Sequence, residues 1–199
     1  AQSRTAYDQG VAAERQRIAR DLHDDVGARL LSGLQQKDVE HIRKSIRAAI
    51  SEMRTIISGL VGEGIELNTI LDELQLEIAE RLQSSDITLH WSQELAGNDI
   101  RLSYTQYKHY VSILRELVSN IIKYANTHQV TIHIALLEGH LLSWISDDGA
   151  GFNGQPDEDV KQRYGLQNLQ QRSIALAGML KFETEFAIGS KVELRFPVS

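Results

Sequence analysis

The sequence predicts an α+β protein in two parts, an N-terminal helical hairpin that forms a dimeric four-helix bundle and a C-terminal α/β sandwich with helices on one face of a sheet. Three observations predict it. Apolar residues recur at helical spacing from Val11 to Leu60. The glycines of VGEGIE (61–66) then interrupt the periodicity. Beyond them, helical stretches alternate with short strands of period two.

Composition narrows the class. With 199 residues, 42% of them apolar and only two prolines, the chain can bury one good-sized core or two small ones. The net charge of −6 and the lack of any run of four or more Lys/Arg argue against nucleic acid as a partner. Cys is absent, which excludes disulfides, thiolate zinc sites and thiol nucleophiles and makes a cytoplasmic setting the expectation. No apolar run approaches the ~20 residues of a membrane span. The polar start AQSRTAYDQG suits a fragment of something longer.

The first helix is read from Val11, Ile18, Leu22, Val26, Leu30 and Leu34, which form one stripe. The second is read from Val39, Ile42, Ile46, Ala49, Met53, Ile56 and Leu60, which step by three and four as in a bundle seam. QQKD (35–38) joins them. A lone hairpin cannot cover both stripes, so pairing with a second copy is expected, giving a homodimer. Residues 1–62 are assigned to this hairpin and 63–199 to the second part.

In the second part, a helix is expected over about 67–82, a strand at ITLHW (87–91) and a helix over about 103–124. Strands follow at about 130–137 and 141–146, joined by EGH. A polar loop runs from 147 to about 163, a helix covers 166–177, and strands at 180–186 and 191–196 close the chain. Trp91 and Trp144 fall in strands and are read as core. The histidines at 41, 90, 109, 128, 133 and 140 show no three-ligand zinc spacing.

The stretch RDLHDD (20–25) puts His23 about 100° round the helix from Leu22, on the flank of the apolar stripe. Asp24 adjoins it, and a carboxylate beside an imidazole can take a proton from one ring nitrogen while the other attacks an electrophile. Taken alone, this is better read as a surface histidine in a charged helix. A second constellation changes that balance. RELVSNIIKYA presents Glu116, Asn120, Lys123 and Tyr124, the first three on one helix face by their four- and three-residue steps. An amide oxygen suits Mg²⁺, and a lysine one turn on can contact phosphates. SDDGAGF places Asp147 to accept from an amine, with Gly149 and Gly151 admitting a close ligand. YGLQNLQQR sets Gly165 before an expected helix N-terminus that favours anions, and GSKVELRFP supplies Gly189 and Ser190 in a strand-connecting turn.

In this order and spacing, the set resembles the histidine kinase core of two-component signalling, in the subfamily whose phosphoacceptor helix reads like ERQRIARDLHDDVG, over nearly the whole chain. ELVSNIIKYA is similar to the N box, DDGAGF to the G1 box, and YGL with its helix to the G2 box of the Bergerat (GHKL-type) ATP-binding fold. The resemblance implies a protein-histidine kinase that autophosphorylates His23 from ATP and Mg²⁺, with Asp24 as base. The phosphoryl group would then pass to an aspartate of a response regulator receiver domain. It further implies Asn120 as Mg²⁺ ligand supported by Glu116, and Lys123 on phosphates with Tyr124 nearby. Asp147 would hold the adenine amine, and Gly149, Gly151, Gly165, Leu166 and Ser190 would form the nucleotide wall and lid, residues 153–164 being the lid loop. Ala28 stands where phosphatase-competent relatives carry Gln, and Arg163 where the G2 pattern has a glycine. No segment resembles a sensor domain, so the resemblance implies an input region elsewhere in a longer, membrane-linked protein. Two other readings stay open: an anti-sigma-type serine/threonine kinase, which lacks a nucleophilic histidine, and a catalytically weak ATP-binding scaffold or switch.

Overall fold

The computed structural model describes residues 46, 50, 53, 64–95, 99–150, 160–185 and 189–198, with the backbone alone at 160–164, 166, 184 and 185. The chain divides into two compact units, Ala1–Ile65 and Glu66–Ser199. In the first, Ile46, Ile50 and Met53 are helical and 43, 46 and 40% exposed within a single chain. The rest of the expected hairpin, with His23, Asp24 and Ala28, lies outside the described residues.

The second unit is a five-stranded mixed sheet with helices against one face. The elements run β1 (Ile65–Glu66), α1 (Leu67–Gln83), β2 (Thr88–Glu94), β3 (Arg101–Leu102), α2 (Tyr104–Asn120), a π-helical turn (Ile121–Ala125), β4 (Gln129–Leu137), β5 (His140–Asp147), α3 (Val160–Ala175), β6 (Met179–Glu185) and β7 (Gly189–Pro197). The large sheet has the order β2-β4-β5-β7-β6, while β1 and β3 form a separate two-stranded ladder. Within the large sheet, pairing is antiparallel except between β2 and β4. Those two strands run parallel because α2 carries the chain from one end of the sheet back to the other between them.

Each helix forms for a local reason. Along α1 the buried residues Leu67, Ile70, Leu71, Leu74, Ile78 and Leu82 make one stripe, and the Leu67 N–H at the helix start donates to Ile100 O at 2.8 Å. A reciprocal capping box starts α2: Ser103 Oγ accepts from the Gln106 N–H at 3.2 Å, and Gln106 Oε1 accepts from the Ser103 N–H at 3.0 Å. Gln106 also donates to Pro197 O at 3.1 Å, which ties this end of the helix to β7. The β4–β5 hairpin turns on Glu138 and Gly139, both at positive φ (50° and 74°), the conformation that matches strand twist.

The core lies between the helices and the inner sheet face, where Val130, Ile132 and Ile134 of β4 alternate with outward residues and meet Val192, Leu194 and Phe196 of β7 across β5. Tyr110 is fully buried there, its ring 5.4 Å from that of Phe196 and its hydroxyl hydrogen-bonded to Ser143 Oγ at 2.9 Å. Burial pushes its phenol well above the usual tyrosine range.

Three sequence expectations change. The helix expected over 166–177 is α3, Val160–Ala175, so Gly165 lies inside a helix and the last residues of the expected lid loop, 160–164, are helical. The strand-connecting turn expected at Gly189 and Ser190 is instead the start of β7. Neither tryptophan belongs to the closed core: Trp91 is partly exposed on the edge strand β2. Trp144 lies on the outer sheet face, stacked on His133 with centroids 5.2 Å apart and donating to Glu193 at 2.8 Å. Period two places a residue on a face, but only the packing decides which face is covered. No helix among the described residues is long and apolar enough to cross a membrane.

Candidate functional site

The expected site residues that the structure describes lie in two places, at the end of β5 and along the last turns of α2 against α3. Asp147 is the last residue of β5, paired with Val130 on one side and Ser190 on the other. One of its carboxylate oxygens accepts from the Gly149 N–H at 2.9 Å, and Ser190 donates to it through both backbone and hydroxyl. Half-burial nevertheless dominates and raises the Asp147 pKa above the ordinary 3.8; the hydrogen bonds from Gly149 and Ser190 oppose that rise, and the neighbouring Asp148 adds to it.

Two glycines make this corner possible. A Cβ on Gly149 would sit 2.0 Å from Ala125 O, and one on Gly189, where φ is +121°, would sit 2.0 Å from Asp147 O. The backbone of the 147–150 turn therefore lies directly on the π-helical turn, and the Ala150 N–H donates to Ala125 O at 2.8 Å.

Glu116 and Asn120 lie one turn apart on α2, with Asn120 its last residue. Gly165 of α3 faces Glu116: a Cβ there would be 3.5 Å from Glu116 Oε1. The expectation that Gly165 precedes a helix N-terminus is thus corrected: it lies inside α3, on the side that meets the Glu116 carboxylate. Lys123 and Tyr124 also need correction. The chain leaves the α-helical register after Asn120, so a three-residue step no longer puts Lys123 on the face of Asn120. Both side chains are exposed, Tyr124 by 50%. A π-turn of this kind is not legible from apolar periodicity, because Ile121 and Ile122 continue an ordinary helical pattern.

Leu166 lies in α3, and Gly151 is outside the described residues with His23 and Asp24. The structure thus brings together Asp147, Gly149 and Ser190 in one corner and Glu116 with Gly165 in another.

Sequence reasoning missed Asp148. Its carboxylate accepts from the Thr127 hydroxyl and from the His128 and Gln129 N–H groups, both at 3.3 Å. The Thr127 hydrogen bond is the main reason its pKa is lowered, although the group is fully exposed to solvent. The adjacent aspartates thus divide the work: Asp147 faces the site, and Asp148 anchors the segment that leads from the π-turn into β4. The doubled DD was the available signal, since successive strand residues point to opposite faces.

No protein-family model matches the chain. It is 26% identical over 209 aligned positions to the sensor protein VraS of Staphylococcus haemolyticus, an alignment covering 94% of this chain and 56% of that protein. The chain therefore spans about half the length of the curated relatives it matches. Among solved structures, the blue-light activated histidine kinase of Erythrobacter litoralis aligns with a TM-score of 0.57 at 14% identity, covering 92% of this chain and 59% of that one. Full-length ShkA in complex with AMPPNP aligns with a TM-score of 0.56 at 14% identity, covering 96% of this chain and 46% of that one. The chain is thus similar in sequence, along most of its length, to bacterial sensor proteins, and it shares its fold with solved histidine kinases.

Proposed function

We propose that the chain is an ATP-dependent protein-histidine kinase core that phosphorylates its own His23 and passes the phosphoryl group to an aspartate of a response regulator. The observation that carries the ATP site is Asp147, an ionisable acceptor fixed by Gly149 and Ser190 at the end of an inner strand, in a turn that Gly149 lets pack directly on the π-helical turn after α2. The sequence likeness to sensor proteins and the fold shared with a kinase that binds AMPPNP support the same reading.

Asp147 would accept the hydrogen bond of the adenine amine. Glu116 and Asn120 present a carboxylate and an amide on one face of α2, a donor set of oxygens that suits a hard cation, and Lys123 is exposed on the π-helical turn that follows. Bound there, Mg²⁺ would neutralise phosphate charge. In the transfer, a nitrogen of the His23 imidazole forms a bond to the γ-phosphorus while the bond from that phosphorus to the bridging oxygen breaks and ADP departs. Asp24 takes the ring proton. In the second step the N–P bond breaks as a carboxylate oxygen of the regulator bonds to phosphorus. Gly151, Gly165 and Leu166 would belong to the wall and lid of the nucleotide.

The half-exposed apolar residues Ile46, Ile50 and Met53, four and three apart on a helix, support dimerisation through the first unit, the second copy covering them. A membrane-linked sensor region elsewhere in a longer protein belongs to this proposal. The deciding experiment is incubation with γ-labelled ATP and Mg²⁺ followed by mild acid. Acid-labile label on the wild-type chain that is lost in His23→Gln is expected; acid-stable label points to a hydroxyl acceptor, and no label to a binding switch.

A further inference from the structure

Arg115 and Ser119 lie one turn apart on α2, and Glu77 and Arg81 one turn apart on α1. Between the two helices these four make a ladder. Arg115 Nε donates to the two Glu77 carboxylate oxygens at 2.9 and 3.0 Å, and its Nη2 donates to Glu77 Oε2 at 2.6 Å. Arg81 Nη2 donates to Ser119 Oγ at 2.6 Å, and Arg81 lies 3.9 Å from Glu77 along α1. Each α2 member of the ladder immediately precedes a residue of the proposed cation site, Glu116 after Arg115 and Asn120 after Ser119.

Successive helix residues are about 100° apart, so holding 115 and 119 against α1 turns 116 and 120 toward α3, where Gly165 faces Glu116. The apolar core cannot do this at the end of the helix. Its contribution from α2 stops at Val118, and no side chain from 119 to 125 is buried. From the far side that segment is held by the Ala150 N–H on Ala125 O. On the near side, the Arg81–Ser119 hydrogen bond acts directly before Asn120.

We propose that the Glu77–Arg115 and Arg81–Ser119 pairs are positioning residues, which fix the rotation of the end of α2 so that Glu116 and Asn120 converge on the cation of a bound nucleotide. The inference rests on the nucleotide reading above. The charged pairs are about one-third exposed, and such pairs contribute little to overall stability. Their effect is therefore felt in binding geometry more than in folding.

The test uses the full chain and a non-hydrolysable ATP analogue, titrated with and without Mg²⁺. Ser119→Ala replaces a serine with the best helix former, so its melting temperature should hold or rise slightly. Its Mg²⁺-dependent affinity should fall about three- to ten-fold, the scale of one ordinary net hydrogen bond, while metal-free affinity stays unchanged. Arg115→Glu, facing Glu77, should lose the same component, and the swap Glu77→Arg with Arg115→Glu should restore it. Mg²⁺-dependent binding equal to wild type in Ser119→Ala and Arg115→Glu overturns the proposal, as does an equal loss with and without metal that tracks a fall in melting temperature. A wild-type chain with no Mg²⁺-dependent binding at all overturns the reading of the site itself, and this proposal with it.

Discussion

Gly149 lies so close to the carbonyl of Ala125 that a single added methyl would overlap its oxygen, at 2.0 Å. The contact joins the turn after β5 to the π-helical turn after α2, the two segments that directly follow the proposed adenine residue Asp147 and the proposed cation residue Asn120. Both sides of the contact are backbone, so neither can swing away as a side chain would.

Gly149→Ala is therefore expected to push the two turns apart, break the Ala150 to Ala125 hydrogen bond and destabilise the second unit by about 1–3 kcal/mol, the usual cost of overpacking. Nucleotide affinity should fall with it. Thermal unfolding and nucleotide titration measure the two; a variant with wild-type values in both would show that the turns yield freely.

The two adjacent aspartates should respond to pH in opposite senses. The Asp147 pKa is raised above 3.8, chiefly by burial, so its ionised form is a cost that grows as pH rises through the folded value, and the acid is the form the fold favours. Binding an amine needs the carboxylate, so nucleotide affinity should decline as pH falls, with a midpoint above 3.8. Asp147→Asn should bind weakly at every pH and lose this dependence. Asp148, lowered chiefly by the Thr127 hydroxyl, contributes stability that is present above 3.8 and lost as pH falls through its depressed folded value. A midpoint for nucleotide affinity at or below 3.8 would contradict the burial of Asp147.

Tyr110→Phe removes the hydrogen bond to Ser143 and leaves a fully buried hydroxyl without its partner. A loss of about 1–2 kcal/mol is expected in denaturant unfolding, and adding Ser143→Ala should recover part of it because the orphaned group is then gone. Additive losses would mean that the two hydroxyls act independently.

For catalysis, His23→Gln should abolish labelling from γ-labelled ATP with nucleotide affinity intact. Asn120→Ala should lose the Mg²⁺-dependent part of binding and slow labelling by at least about ten-fold, the effect of one well-placed charge-neutralising group. Label persisting in His23→Gln would move the acceptor to another residue.

Much of the second unit could be read from the chain alone. The helical period from Leu67 to Leu82, that from about 103 to 124, and the strand pattern at about 130–137 are local patterns with local causes, and they put α1, α2 and β4 close to where they lie. The motif residues Asp147 and Gly149 were legible for the same reason, since a strand running into a glycine turn announces itself. Gly165 was misread because glycine usually marks a helix boundary, whereas here it lies within α3 against Glu116. The partial exposure of Trp91 and Trp144 was likewise invisible, because aromatic content in a strand does not say which face is covered.

The sequence by itself determined the helical and strand periods, the break at VGEGIE and the identities of the groups that can hold an amine, a cation or a phosphate, because all of these depend on neighbours within a few residues. Tertiary structure alone decided that β2 runs parallel to β4, that α2 changes to a π-turn after Asn120, and that Arg81 and Arg115 of two different helices meet Ser119 and Glu77. The strand pairing and the two arginine contacts join segments 38 residues apart or more in the chain, and their energy exists only once the layers are packed together.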